Sequence, residues 1–359
     1  MQQRRLGSGF ITSAIGLGCM GFSQGFGPAD DSESVAAIHR ALDTGITLLD
    51  TAMSYGAGHN ERLIARALAG RRGDDGHVQI ATKFGIVRDG SGVRLDAHPD
   101  RVRGYCVESL RRLGVEAVDL YYLHRVDPAV PLAETVGAMA ELVREGLVRH
   151  LGVSEVTPAQ LTQAAAVHPI AAVQFEWSLL WREAERDLIP AARALGIGLV
   201  PYSPLGRGLL TAALDRESIA VSDYRAADPR FQGENLERNL RQVEVLRSVA
   251  SGFGLSPGQF ALAWLLAQGD DVVPIPGSRR ADRIAENAAA AGLRLDPHAL
   301  QQLDLAAPAE EWAGDRRSFA ASALIRGSRA LGDPCPRRSQ PPHEEGGKRH
   351  FPRFGLPAP

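Results

Sequence analysis

Along this chain, short and nearly continuous apolar runs alternate with longer stretches whose apolar residues recur at helical spacing. Eight runs read as strands: 14–18, 47–50, 78–82, 118–123, 148–153, 171–175, 198–202 and 272–275. They lack strict alternation, as strands of a parallel sheet buried on both faces should. Seven lead into a helical pattern, and the last runs into Ser278–Ala291. Helix starts and stops are legible. Thr157-Pro158-Ala159-Gln160 and Ser256-Pro257-Gly258-Gln259 each combine an N-cap, a proline at the first helical position and a capping-box glutamine. Gly45, Gly70, Gly114, Gly146 and Gly196 stand where helices need a left-handed stop. Repeated β–α units predict a closed (β/α)8 TIM barrel, with an open doubly wound sheet as the alternative.

Three segments depart from a bare barrel. Arg4–Ser13 surrounds Gly7-Ser8-Gly9 with short alternating runs and predicts an N-terminal hairpin across the barrel floor. Between the seventh and eighth strands lie about seventy residues, against about thirty in other units. The Gly206–Asn235 part of this long loop is rich in Gly, Asp and Arg, and a loop after a barrel strand sits on the catalytic face, so it is a candidate lid. From Asp333 onward, seven of 27 residues are proline and three are glycine, too little apolar surface to offset ordering entropy. The expected division is a barrel over 1–316 and a C-terminal extension over 317–359, disordered from about 333.

Composition narrows the function. Of 359 residues, 44% are hydrophobic and 23% charged, and the formal charge is −2, which provides no basic field for nucleic acid and no polybasic membrane anchor. No run of apolar residues is long enough to span a bilayer. Cys19, Cys106 and Cys335 form neither a disulfide framework nor a metal-ligand spacing. A cytoplasmic, metal-free enzyme is expected. Gly16-Leu17-Gly18-Cys19-Met20-Gly21 formally fits a dinucleotide fingerprint, but the following Phe22-Ser23-Gln24-Gly25-Phe26-Gly27-Pro28 cannot open the helix that fingerprint requires.

Four polar residues sit at or just beyond predicted strand ends: Asp50, Tyr55, Lys83 and His124. On a barrel these ends converge on one rim. A tyrosine is a poor acid–base group at neutral pH, and a neighbouring ammonium lowers its pKa. Asp50 would hold that ammonium, and His124 would hydrogen-bond a substrate oxygen. Such apparatus exchanges a proton with a carbonyl or alcohol oxygen. Each residue also has a plainer reading: Asp50 as a turn cap, Tyr55 as an exposed turn aromatic, His124 as a satisfied rim histidine. Lys83 is the least ordinary, because 40 basic residues include only Lys83 and Lys348 as lysines. Lysine is a compact, tunable charge where arginine is a wide and permanent one.

Asp50-Thr51-Ala52-x-x-Tyr55-Gly56, Lys83 and Leu120-Tyr121-Tyr122-Leu123-His124 resemble the Asp/Tyr/Lys/His tetrad of the aldo-keto reductases. The likeness extends in order through Leu151-Gly152-Val153-Ser154, Gln174, Tyr202-Ser203-Pro204-Leu205-Gly206 and Ile275-Pro276-Gly277-Ser278, over about residues 4–316. His124-Arg125-Val126-Asp127-Pro128 and Gly152-Val153-Ser154-Glu155 resemble microbial and plant members that reduce small aldehydes and quinones. The resemblance implies NADPH extended across the barrel mouth. Tyr202 would stack on the nicotinamide, with Ser154 and Gln174 on its carboxamide and Gly18, Cys19, Met20 and Asp50 nearby. Ser203, Leu205, Gly206 and Arg207 would follow the pyrophosphate. Ser278, Arg279 and Arg283 would hold the 2′-phosphate, with Gly277 also at the cofactor, and Glu286 and Asn287 would meet the adenine. Arg283 and Glu286 could instead form an i,i+3 pair. Glu155 stands where many relatives have asparagine, and Gly277 where some have lysine.

Implied substrate-pocket residues are Phe22, Phe26, Phe84, Trp177 and Tyr224, which could equally be rim packing. The function expected is NADPH-dependent reduction of aldehydes and ketones to alcohols, with Tyr55 as proton donor. The alternative is an NADPH-binding, redox-sensing regulatory subunit with little turnover. A barrel hydrolase would need paired carboxylates or a metal constellation, and the sequence has neither.

Overall fold

The computed structural model describes residues 1–71, 78–89, 92–214, 217, 219 and 223–316. Strands β1 (Gln3–Leu6) and β2 (Phe10–Ser13) open the chain as an antiparallel hairpin, with Leu6 opposite Phe10. The chain continues through β3 (Leu17–Gly18), α1 (Asp31–Asp43), β4 (Leu48–Asp50), α2 (His59–Leu68) and β5 (Gln79–Phe84). A second antiparallel hairpin, β6 (Ile86–Asp89) and β7 (Gly92–Leu95), precedes α3 (Pro99–Leu113). Next come β8 (Val118–Leu123), α4 (Leu132–Arg144), β9 (Val148–Ser154) and α5 (Pro158–Val167). After these lie β10 (Ile170–Glu176), α6 (Leu188–Ala194) and β11 (Gly198–Tyr202). Helices α7 (Gly233–Gly252), α8 (Pro257–Ala267), α9 (Ala281–Ala289) and α10 (Pro297–Ala306) complete the elements used below.

Seven strands are parallel and ordered β11-β10-β9-β8-β5-β4-β3. The expected eighth, residues 272–275, closes the ring without forming a regular ladder. Val273 and Ile275 donate to Leu199 O and Pro201 O at 2.8 and 3.0 Å, while Gly16 and Gly18 donate to Pro274 O and Pro276 O at 3.0 and 3.3 Å. Pro274 and Pro276 have no N–H to return, so the bonds to the first strand run one way. The doubly wound alternative is thereby excluded.

Two apolar layers follow from the period of two along each strand. Leu48, Ala81, Leu120, Tyr122, Ala172, Val200 and Val273 fill the barrel interior, and Leu6 and Phe10 of the first hairpin plug it. The intervening positions, such as Leu49, Ile80, Tyr121 and Phe84, pack outward in the larger core that includes the helices. Packing inside is tight enough to demand glycine: a Cβ on Gly152 would lie 2.4 Å from the Tyr122 ring.

Both expected capping boxes are formed, at Thr157 and Ser256. The five expected stop glycines all have φ between 63° and 85°. The dinucleotide-like glycine motif runs into a 3₁₀ turn at Met20–Phe22, and no α-helix begins before Asp31. In the long loop, 3₁₀ turns cover Gly206–Thr211, Tyr224–Ala227 and Pro229–Phe231, and α7 starts at Gly233, so the last three residues of the expected loop are helical. The predicted disordered tail lies outside the described residues. Among the described residues, no single helix is long and apolar enough to cross a membrane.

Candidate active site

Alternation along β4, β5 and β8 turns Asp50, Lys83 and His124 toward the barrel axis at the C-terminal ends of their strands. Tyr55 sits one turn beyond β4, its N–H donating to Ala52 O at 3.1 Å. The tetrad therefore assembles. Lys83 is fully buried, donates to Asp50 Oδ1 and, at 2.8 Å, to Thr51 O. Its Nζ lies 5.2 Å from the centroid of the Tyr55 ring and 5.8 Å from that of Tyr122. Gln174 Nε2 donates to the other Asp50 oxygen at 2.9 Å. The Tyr55 and His124 rings meet edge to face, centroids 5.9 Å apart.

The electrostatics differ from the sequence expectation in one respect. Burial raises the Tyr55 phenol well above its usual range, Asp50's charge adds to the rise, and the opposing cation is Arg125. The Lys83 ammonium is engaged by Asp50 and by the Thr51 carbonyl. Burial also pushes Asp50 up and Lys83 down, each partner resisting the other's shift. His124 is held well below the usual imidazole range by burial, then by Arg125 and Lys83, and so is neutral at pH 7. Its Nδ1 is buried without a partner.

A cavity of about 420 Å³ opens over these residues, of a size typical for small-molecule sites. Asp50, Tyr55 and His124 line it, while Lys83 lies beneath them. Of the implied cofactor residues, Gly18, Met20, Ser154, Gln174, Tyr202, Ser203, Leu205 and Arg207 line its inner part. Gly277, Ser278, Arg279, Arg283, Glu286 and Asn287 line its outer part, beside the start of α9. Cys19 and Gly206 are buried behind the wall.

Several polar groups on the wall already have partners. Arg207 bonds to Asp228, which with Glu176 also binds Arg230. Arg283 pairs with Glu286 at 2.6 Å, the i,i+3 alternative weighed from sequence. Arg279 donates to the carbonyls of Phe26 and Pro28, tying the loop after β3 to the loop before α9. Glu155, at φ 54°, accepts from Tyr202 Oη at 3.0 Å and from Arg316 at 2.8 Å.

Of the aromatic residues, Phe22 and Phe26 line the cavity. Phe84 does not: it follows Lys83, faces outward by alternation, and stacks on Tyr121 at 5.0 Å. Trp177 is buried between Phe175 and Trp264, with its indole N–H on Glu185. Tyr224 does not line the cavity either; its N–H is bonded to Gly25 O at 2.9 Å. Sequence reasoning passed over Arg125, Arg88 and Arg316. Arg125 was signalled only by its place beside His124. Arg88 rides on the unforeseen β6–β7 hairpin, and Arg316 reaches the site from a distant segment.

Residues 14–307 match the sequence profile of the Aldo/keto reductase family. A Glycine max protein named probable aldo-keto reductase 1 is 42% identical over 88% of this chain and 92% of its own length. A glycerol dehydrogenase of Gluconobacter oxydans is similar in structure, with TM-score 0.77, 32% identity, and coverage of 85% of this chain and 94% of that one. An aldo-keto reductase of Bacillus halodurans in its holo form gives TM-score 0.70 and 27% identity, over 86% and 97% of the two chains. With its strand-end tetrad on a closed (β/α)8 barrel, the chain belongs to the aldo/keto reductase family, a family of NADP-dependent oxidoreductases acting on carbonyl compounds.

Proposed function

We propose that this enzyme reduces small aldehydes and ketones to alcohols with NADPH, and that Tyr55 donates the proton. The observation carrying this reading is the buried Asp50–Lys83 pair beneath Tyr55, with neutral His124 at the phenol's edge. Tyr55 carries its proton at neutral pH, as a donor requires, and Arg125 opposes the rise that burial and Asp50 impose on the phenol. His124 offers a neutral imidazole N–H to the carbonyl oxygen, polarising it without competing for the proton. Lys83 and Asp50 hold a fixed dipole below the phenol, and Gln174 fixes the second carboxylate oxygen.

The residues fit the cofactor. Gln174 donates its Nε2 to Asp50, which leaves its amide oxygen to accept, while Ser154 Oγ accepts from Arg125 at 3.1 Å, which leaves its hydroxyl hydrogen to donate. These two groups complement a carboxamide. Ser278, Arg279 and Arg283 beside the start of α9 suit an anionic 2′-phosphate. Held by these residues, NADPH would supply the hydride, and Tyr55 the proton that completes the alcohol. Cys19 and Cys106 are buried free thiols, which suits the reducing cytoplasm we assign to the enzyme.

NADPH consumption over a panel of small aldehydes, α-dicarbonyls and quinones tests the function. Turnover of at least one class is expected; tight NADPH binding with no turnover would favour the regulatory-subunit reading. Cofactor choice is tested by Arg279→Ala. Loss of the guanidinium should weaken NADPH binding by roughly 1.5–3 kcal/mol while scarcely changing NADH binding. Equal losses for both in a fluorescence titration would remove Arg279 from the 2′-phosphate site.

A further inference from the structure

A recess of about 30 Å³ adjoins the main cavity on the side of the tetrad. Tyr55 and His124 form part of its wall, so a carbonyl oxygen held by both lies at its edge. Arg88 and Arg125 also line it, and no acidic side chain does.

Both guanidiniums have unused donors. Arg125 is 6% exposed, and its Nη1 donates to His124 O at 2.6 Å and to Ser154 Oγ, both neutral acceptors. Its Nε is buried without a partner, and so is the Nε of Arg88. Among the described residues, no carboxylate comes within ion-pair distance of either one. The other buried arginines meet anions or several carbonyls: Arg4 three backbone carbonyls, Arg207 Asp228, and Arg230 Asp228 and Glu176. A buried cation without an anion is costly, and a buried N–H without an acceptor adds to that cost. Arg125, a buried cation, and the half-buried Arg88 with its buried Nε, both beside the reacting atoms, call for an acceptor that arrives with the substrate.

Resting on the carbonyl-reductase reading above, we propose that Arg88 and Arg125 form a carboxylate-binding subsite, and that the preferred substrates are short oxo acids. The acid group must lie close to the carbonyl, because the recess shares its wall with Tyr55 and His124. Its volume admits about two water-sized groups. A carboxylate presents two oxygens in one plane, which suits a guanidinium fork; a phosphoryl group presents three. The β6–β7 hairpin brings Arg88 there, with its cross-strand partner Val93 on the same wall. Arg125's cation also draws the Tyr55 phenol down toward its usual range, so it acts on the proton donor as well as on the acid.

The test compares each acid with its neutral amide: glyoxylate with glyoxylamide, and succinic semialdehyde with 4-oxobutanamide. Wild-type enzyme should favour the acid by about tenfold or more in kcat/KM. In Arg88→Gln and Arg125→Gln that ratio should fall toward one, whatever happens to the absolute rates. Calorimetric titration of the product acid 4-hydroxybutyrate should show the same loss without turnover. Arg88→Gln guards against misfolding of the more deeply bonded Arg125 variant. Equal use of acid and amide by the wild type, or a ratio unmoved in both variants, overturns the subsite. Preference for glycolaldehyde phosphate over both acids overturns the carboxylate assignment. If no carbonyl compound is reduced at all, the function reading itself fails and takes this one with it.

Discussion

Lys83 has no exposed surface, and its ammonium is enclosed by Asp50, the Thr51 carbonyl and the faces of Tyr55 and Tyr122. That enclosure fits a compact charge and excludes a planar fork. Lys83→Arg should therefore lower single-turnover NADPH oxidation by roughly 10²–10⁴, the usual scale of acid–base catalysis, while NADPH affinity stays within a few-fold. Near-normal turnover in a variant with native circular dichroism would reduce Lys83 to a structural ion pair. Glu155 provides a pH test. Its carboxyl is lowered from the ordinary 4.5 to about 2, where burial alone would raise it, because Arg316, Arg125 and Tyr202 stabilise its charge. A depressed folded-state pKa stabilises above the unfolded value and is lost as pH falls toward the folded one. The stability gap between wild type and Glu155→Gln should thus be full above pH 5 and narrow by about 1 kcal/mol between pH 6 and pH 3.5. A gap constant over that range in urea titrations would show that Glu155 carries no linked charge.

The inserted elements shape this barrel as much as its strands do. The first hairpin supplies Leu6 and Phe10 to the interior, and Gly198 is glycine because a Cβ there would lie 2.5 Å from Leu6. The second hairpin brings Arg88 to the site. The long loop after β11 is anchored by charge: Arg207 and Arg230 are buried with Asp228 and Glu176, all four side chains at most 1% exposed. Removing one member leaves uncompensated buried charge, which costs far more than the intact pair contributes. Arg230→Met should destabilise the protein by roughly 3–5 kcal/mol in thermal or urea unfolding. A loss below about 1 kcal/mol would mean that the loop relaxes and lets water reach the carboxylates.

At the scale of the whole molecule, the segment 309–316 returns to the catalytic face: Arg238 bonds to Glu310 O and Glu311, and Arg316 to Glu155 while lying over Trp181. We expect removal of 317–359 to leave melting temperature and turnover nearly unchanged. Ending the chain at Gly314 should lower the melting temperature and weaken NADPH binding, since Glu155 and Tyr202 lose their cation; equal behaviour of the two truncations would refute the role of Arg316. The barrel itself was legible because its signals are local. Apolar runs, capping boxes and stop glycines depend on residues a few positions apart, and strand ends converge on one rim in any closed barrel. Asp50, Lys83 and His124 were readable for that reason. Phe84 and Trp177 were misjudged as pocket residues because an aromatic side chain's direction depends on strand register, which a continuous apolar run does not reveal. Arg88, Arg125 and Arg316 escaped notice because their meaning lies in which charges they meet or fail to meet, across up to 161 residues of chain. Local hydrophobic period and backbone chemistry thus determined the fold and the convergence of Asp50, Lys83 and His124 on one rim, while their reading as a tetrad with Tyr55 came from the family resemblance. The state of Tyr55, the unpaired arginines and the C-terminal clasp were decided by tertiary structure, because burial and charge pairing are properties of the assembled interior.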